Sequence, residues 1–217
     1  MIRHTLALGL LTLSLAAQAQ ATLGANLIVN GGAESGVTGW TGFDGYSMFQ
    51  SVDYGSNWVL PTQPGPVDRG LKMFTGLTAQ AAGFQTLDLG ALAGQALHYD
   101  LTGWLGGWAG QGDNALLYVS FLDTLGNEIG SASIGPVTPA DRNNQTGLFY
   151  RSAAGDLPVG TASLMFSLSM ERQGGGDNDG YADNLSFVVS SVPEGSTLFY
   201  TLAGLGLLGG VLARRRR

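Results

Sequence analysis

Between its two ends this chain carries no stretch with a sustained 3.6-residue apolar period, which argues against helices as its building material. Apolar residues recur instead in short runs separated by turn-forming residues. Over residues 164–170, Leu164, Phe166, Leu168 and Met170 alternate with Ser167 and Ser169, the two-residue period of a strand with one buried face. Residues 97–104 place Leu97, Tyr99 and Leu101 on one face in the same way, while residues 115–122 are largely apolar, as in a strand covered on both sides. Further runs at 25–30, 71–75, 84–89, 148–152 and 185–189 bring the expected number of strands to about eight or nine. Between them lie turn signals such as Gly31-Gly32 and the loop Pro61-Thr62-Gln63-Pro64-Gly65-Pro66; glycine supplies 35 of the 217 residues. Strands without helices hide their apolar faces by stacking sheets. The expected fold over residues 22–190 is therefore all-β, a jelly-roll β-sandwich.

Residues 1–21 read as a secretory signal peptide. Arg3 and His4 form a short polar start, residues 6–15 an apolar stretch, and Ala17-Gln18-Ala19 or Ala19-Gln20-Ala21 a small-residue cleavage site. Residues 191–217 have a three-part order: Val192-Pro193-Glu194-Gly195-Ser196-Thr197, an uncharged apolar run over 198–213, and Arg214, Arg215, Arg216 and Arg217. As a helix the run would measure roughly 24 Å, against about 30 Å for a hydrocarbon core. The four arginines would hold that end in the cytoplasm, with the rest of the chain on the far side of the membrane.

This order of motif, apolar helix and arginine cluster resembles the PEP-CTERM sorting signal of Gram-negative bacteria. Val192, Pro193, Glu194, Ser196 and Thr197 match the family motif, as do Leu202-Ala203-Gly204-Leu205-Gly206-Leu207-Leu208, while Gly195 stands where the family usually has a second proline. The resemblance implies an exosortase-type enzyme as a partner. It also implies export through the inner membrane, transient anchoring there by the transmembrane helix, and a final place in the cell envelope or outside the cell. Hosts of this family make extracellular polysaccharide, which suits a role in biofilm formation.

Composition narrows the partners. Over residues 22–190 five basic side chains face fifteen acidic ones, a balance that repels nucleic acid and favours cations. There is no cysteine, so disulfides and thiolate metal sites are excluded.

The two ends of the central region resemble those of galactose-binding-like jelly rolls and related carbohydrate-binding modules. The opening Asn26-Leu27-Ile28-Val29-Asn30-Gly31, with Glu34 and Trp40 beyond it, and the closing Asp179-Gly180-Tyr181-Ala182-Asp183-Asn184-Leu185 carry that likeness. It implies a structural calcium where first and last strands meet, held by the side chains of Glu34 and Asp183, with a carbonyl from Asn30 or Gly31 and further oxygen from Asp179. Calcium takes six to eight oxygens, and glycines allow carbonyls to turn toward an ion. Alternatively these acids are surface turn residues.

Aromatic residues supply the other candidate site. Sugar rings stack on exposed aromatic faces, and Trp58 and Trp108 lie among glycine and polar residues, with Gln111, Asp113 and Asn114 following Trp108 as hydroxyl partners. Tyr46, Phe49 and Tyr54 lie in the same loop-rich region, whereas Trp40 and Trp104 are expected in the core, where large aromatics do most of their stabilising. Catalytic machinery is not expected. His98 is the single histidine outside the signal peptide, and the chain has no Gly-x-Ser-x-Gly elbow, zinc motif or phosphate loop. The expected function is a non-catalytic exported protein that contacts extracellular polysaccharide through a calcium-braced domain. The rivals are a self-associating matrix protein and, from another class, a carbohydrate-active enzyme built on an acid pair.

Overall fold

The computed structural model describes residues 21–55 and 57–192. Apart from Ala21, Ser191 and Val192, the expected signal peptide and sorting signal, with its helix and arginines, lie outside the described residues.

Among the described residues ten strands build two antiparallel sheets packed face to face. In chain order they are β1 (Thr41–Gly42), β2 (Gln50–Asp53), β3 (Lys72–Thr75), β4 (Gln80–Asp88), β5 (Leu97–Gly107), β6 (Asn114–Leu122), β7 (Glu128–Ile134), β8 (Gly147–Asp156), β9 (Ser163–Glu171) and β10 (Tyr181–Ser191). A 3-10 turn, Gly90–Leu92, links β4 to β5. The first sheet has the order β1-β4-β9-β6-β7 and the second β2-β3-β10-β5-β8. Consecutive strands mostly cross between sheets, the winding of a jelly roll.

The alternation in β9 performs as expected, with Leu164, Phe166, Leu168 and Met170 buried against Leu117, Val119 and Phe121 of β6. From the second sheet Leu97, Tyr99, Leu101 and Leu105 of β5 and Leu185, Phe187 and Val189 of β10 close the core. Tyr99 stacks on Phe187 with ring centroids 5.4 Å apart, and Trp40, Phe49 and Phe74 meet edge to face at 5.0–6.0 Å. Trp40 is in the core, as expected.

Three strands were not visible in the sequence pattern. β1 and β2 are too short to show a period, and β7 reads Glu-Ile-Gly-Ser-Ala-Ser-Ile, in which Ala132 and Ile134 are the buried residues.

Residues 25–30, expected to open the fold as a strand, form a single bridge between Asn26 and Val188. Side-chain amides do the remaining work. Asn26 donates from Nδ2 to the Leu185 carbonyl (3.0 Å) and accepts from the Phe187 N–H (3.0 Å), taking a backbone's place beside β10. Buried Gln85 of β4 likewise donates to the Val29 carbonyl (2.7 Å) and accepts from the Val29 N–H (2.9 Å), tying this segment to the first sheet. Replacing Gln85 by Ala removes both bonds and leaves a small void. Unfolding in urea should show a loss of about 2 kcal/mol, and a loss below about 0.5 kcal/mol would mean that the clasp is not stabilising.

Candidate functional site

The chemistry-bearing residues gather on and around the outer face of the second sheet, and β10 decides which side chains reach it. Tyr181 lies opposite Gly106 and Asp183 opposite Trp104, so all three side chains at these positions turn away from the core. A bulge between Asp183 and Ser186 then inserts one residue, with Asn184 in the left-handed region at φ 47°, and returns Leu185 to the core. Leu185 donates its N–H to the Gly31 carbonyl (3.0 Å). A Cβ on Gly31 would stand 2.1 Å from the Leu185 carbonyl oxygen, so the opening loop reaches the bulge because this position is glycine.

Asp183 is fully buried. Its Oδ2 accepts from the Tyr54 hydroxyl (2.5 Å) and its Oδ1 from the Asn184 N–H (2.7 Å). Burial pushes its carboxyl up to about 7 despite these bonds, and the negative charge of Glu34 pushes the same way. Glu34 uses Oε1 to accept from the Leu71 and Lys72 N–H groups (both 2.9 Å), capping the start of β3. Burial, with the Asp183 charge beside it, also raises Tyr54, which keeps its hydroxyl protonated and donating. The Arg69 guanidinium covers the Tyr54 ring at 5.1 Å and donates to the Pro66 and Gln63 carbonyls, which clamps the loop.

The structure thus brings Glu34 and Asp183 into one electrostatic neighbourhood. Asn30 is nearby in the chain, but its side chain is committed to its own turn: Oδ1 accepts from Ser35 N–H (3.0 Å) and Nδ2 donates to the Gly36 and Thr38 carbonyls (2.9 and 3.2 Å). Asp179 belongs elsewhere. It is buried, accepts from the Tyr181 hydroxyl (2.6 Å), and lies among the charges of Asp113, Asp177 and Arg142. Among the described residues no group of three or more His, Asp or Glu side chains is arranged to hold a metal ion.

Asp113, expected to face a sugar, is completely buried. Its Oδ1 accepts from the N–H groups of Gln173 (2.7 Å) and Gly174 (2.9 Å), and its Oδ2 from that of Asp179 (2.9 Å). It is a tie between loops. Beside it lies fully buried Arg142, whose Nη1 donates to the carbonyls of Ala109 and Gln145 and whose Nη2 donates to that of Gln111. An arginine in this place was not recognisable from its neighbours in sequence, since the loops it joins lie about thirty residues away.

The aromatic residues are also redistributed. The loop from Tyr54 to Gly70 folds over the upper part of the outer face, and buried Val59 packs with Met73, Leu148 and Tyr181. Trp58 belongs to this small second core, edge-on to Tyr181 at 6.4 Å, and Trp108 packs against the same cluster, half-buried. Phe49 is buried and Tyr46 is 51% exposed. Gln111 and Asn114 are half-buried, the Asn114 amide donating to the Gly112 carbonyl (3.2 Å).

Trp104, expected in the core, is on the outer face and half-buried, packed against the same small second core as Trp58 and Trp108. There it meets Tyr150 of β8 edge to face, with centroids 5.8 Å apart, and Tyr150 is 51% exposed. Along the strands from this pair the outer positions carry exposed Asp100 and half-buried Thr102 of β5 and half-buried Ser186 of β10, a floor of small polar side chains. An open groove of about 400 Å³ runs between β2 and the start of the loop, lined by Val52, Asp53, Tyr54, Asn57, Trp58 and Lys72. His98 is exposed and pairs with Asp156 at 2.8 Å on the same face.

No family model matches the chain. No curated protein is similar to it in sequence. Solved structures do share its fold. The chain is similar to the enzymatically active domain of tailspike protein 4 of bacteriophage CBA120, with 15% identity and a TM-score of 0.52, over 76% of this chain and 21% of that one. It is also similar to the CBM22-1 and GH10 modules of Clostridium thermocellum endo-1,4-beta-D-xylanase 10B (16% identity, TM-score 0.45, 75% and 27% covered). A third is the CBM22-1 xylan-binding domain from Paenibacillus barcinonensis (12% identity, TM-score 0.42, 71% and 87% covered). The chain spans about a fifth of the tailspike chain and about a quarter of the xylanase chain. The likeness to the tailspike domain speaks for a shared sandwich and for nothing about ligand.

The buried carboxyl makes stability depend on pH. Asp183 binds its proton more tightly folded, up to about 7, than at its ordinary value of 3.8. Its contribution is therefore complete below about pH 4 and is lost as pH rises to about 7. In metal-free buffer the melting temperature should fall across that window and level off above it, by the equivalent of roughly 4 kcal/mol at most. Asp183→Asn should flatten the slope; an equally steep slope in the variant would remove Asp183 as its source.

Proposed function

We propose that this chain is an exported, non-catalytic protein that contacts polysaccharide at the cell surface through the outer face of its second sheet, braced by a bound calcium ion. The carrying observation is the Trp104–Tyr150 pair. Two rings meet edge to face on an open sheet surface, above Asp100, Thr102 and Ser186, whose oxygens can accept from or donate to sugar hydroxyls. A ring half exposed at such a position offers a stacking plane at little cost in ordering, because the sheet already holds it. Trp58 and Trp108 pack with Trp104 against the small second core that borders this surface, and Tyr150 is the most exposed ring on it. Export rests on the resemblance of the two chain ends to a signal peptide and a PEP-CTERM sorting signal, for which the exosortase-type enzyme is the expected partner.

Calcium fits the chemistry of the Glu34–Asp183 neighbourhood better than that of the Asp113–Asp179 one. Asp183 is buried with its charged form disfavoured and a second carboxylate close by, and a dication would neutralise both. Glu34 and Asp183 would hold it by their side chains, with carbonyls of the adjoining 30–34 turn completing the oxygen set. Its contribution would be to join the opening loop to β10.

Two measurements test the reading. Tyr150→Ala should abolish saturable binding to bacterial exopolysaccharides without lowering the melting temperature by more than about 2 °C, because the ring is half in solvent. Binding that survives in both Tyr150→Ala and Trp104→Ala would move the site off this face. Calcium should raise the melting temperature of the native chain at pH 7 and leave that of Glu34→Gln unchanged, a substitution that keeps an acceptor for the Leu71 and Lys72 N–H groups. Equal melting with calcium and with EDTA in the native chain would sink the cation.

A further inference from the structure

The two sheets end in four edge strands, and three of them are short or interrupted. β1 has two residues and β2 four, while β7 has seven, meets a register shift opposite Phe121 and Leu122, and runs into Gly135-Pro136. β8 differs. Its ten residues pair with β5 without a register shift and contain neither proline nor lysine, two of the residues that usually blunt a free edge.

The direction of its backbone groups can be read from its two ends. Leu148 sends its N–H to the Pro64 carbonyl (2.9 Å), away from β5, whereas Leu157 sends its N–H to Leu97 at the start of β5 (2.8 Å). Alternation along the strand then turns the N–H and C=O groups of Tyr150, Ser152, Ala154 and Asp156 outward. The Tyr150 carbonyl takes a bond from Arg151 Nη1 (3.0 Å). No hydrogen bond among the described residues reaches the outward backbone groups of Ser152 or Ala154. The side chains along this stretch are small, and the Arg151 side chain is drawn aside to Asp141 at 3.6 Å.

We propose that this edge pairs with the same edge of a second copy of the chain, antiparallel about Ala153, so that two five-stranded sheets become one continuous sheet. The register follows from the outward groups. Pro64 covers the end of the edge at Leu148, which leaves residues 150–156 free, and the centre of that stretch is Ala153. Antiparallel pairing about Ala153 sets Ser152 opposite Ala154 of the second copy and Tyr150 opposite its Asp156, matching outward groups with outward groups at every step. Each exposed Tyr150 hydroxyl then meets a carboxylate rather than another aromatic ring. Arg151 must release the Tyr150 carbonyl for the outermost bonds to form. The interface joins the outer faces of the two copies side by side, and it does not depend on whether either face binds sugar.

The chain has no cysteine, so a single introduced thiol reports this contact alone. In the proposed register the two Ala153 residues form a non-hydrogen-bonded pair, with Cα atoms about 4.5 Å apart, inside the range a disulfide spans. The full chain carrying Ala153→Cys should form a covalent dimer under mild oxidation, in large excess over the chain carrying Val159→Cys, which is 98% exposed and serves as a collision control. Ser152→Pro removes one outward N–H per copy while sparing the β5 ladder, and it should abolish that crosslink. In sedimentation equilibrium of the otherwise unsubstituted full chain, Ser152→Pro should weaken the dimer by about thirtyfold. Ala154→Lys, which places a charge on the seam, takes its place if proline disturbs the strand. Crosslinking no greater than the control, crosslinking indifferent to Ser152→Pro, or a native chain that sediments as a monomer up to high micromolar concentration would each overturn the proposal.

Discussion

One extra residue in β10 sets the arrangement of everything that matters here. Before the bulge, Tyr181 and Asp183 face outward and Ala182 inward; after it, Leu185, Phe187 and Val189 face the core. Without the insertion a regular two-residue period would have to bury Asp183 among core side chains or turn Leu185 and Phe187 to solvent. The bulge also marks a change of neighbour. β3 accompanies β10 only at Tyr181 and Ala182, and beyond the bulge the opening segment takes its place through Gly24, Asn26 and Leu27. Gly31, lying against the Leu185 carbonyl, makes that transfer sterically possible.

Two buried acidic centres flank this strand, and they solve the same problem in different ways. A carboxylate removed from water needs hydrogen bonds or a countercharge. Asp113 has three backbone N–H donors, and Arg142 supplies a cation nearby, its guanidinium ringed by carbonyls much as a metal ion would be. That centre draws its countercharge from the chain itself, although Arg142 Nε is buried with no hydrogen-bond partner among the described residues. Asp183 receives one hydroxyl and one N–H and feels the charge of Glu34, and Arg69, whose charge opposes that effect, is spent on the Tyr54 ring and loop carbonyls. The contrast is the reason a divalent ion is proposed at one centre and not at the other.

The outer face of the second sheet is divided in a similar spirit. The proline-rich loop covers its upper part and converts Trp58, Val59 and Tyr181 into a second small core. What remains open is the strip that carries Tyr150, with half-buried Trp104 at its border and Asp100, Thr102 and Ser186 along it. The long free edge of β8 borders the same strip, so a surface for ligand and a surface for a second copy would lie side by side.

The periodic pattern of the sequence determined the sandwich. Six of the eight expected runs extend into or lie within long strands, because alternation over nine to eleven residues leaves little choice of buried face. That Glu34 and Asp183 lie close enough for their charges to interact agrees with what the resemblance to galactose-binding-like jelly rolls implies for the two ends of the fold. Tertiary structure alone decided the rest. Residues 25–30 fail to become a regular strand because the amides of Asn26 and Gln85 compete successfully for the backbone partners. Trp58 and Trp104, expected to divide between surface and core, end alike, half-buried against the small second core, because burial of a ring depends on whether a loop from another part of the chain lies over it, and composition carries no record of that. Asp113 and Arg142 show the same limit most plainly: each is polar, each sits in a glycine-rich or polar stretch, and only the meeting of distant loops makes both of them interior.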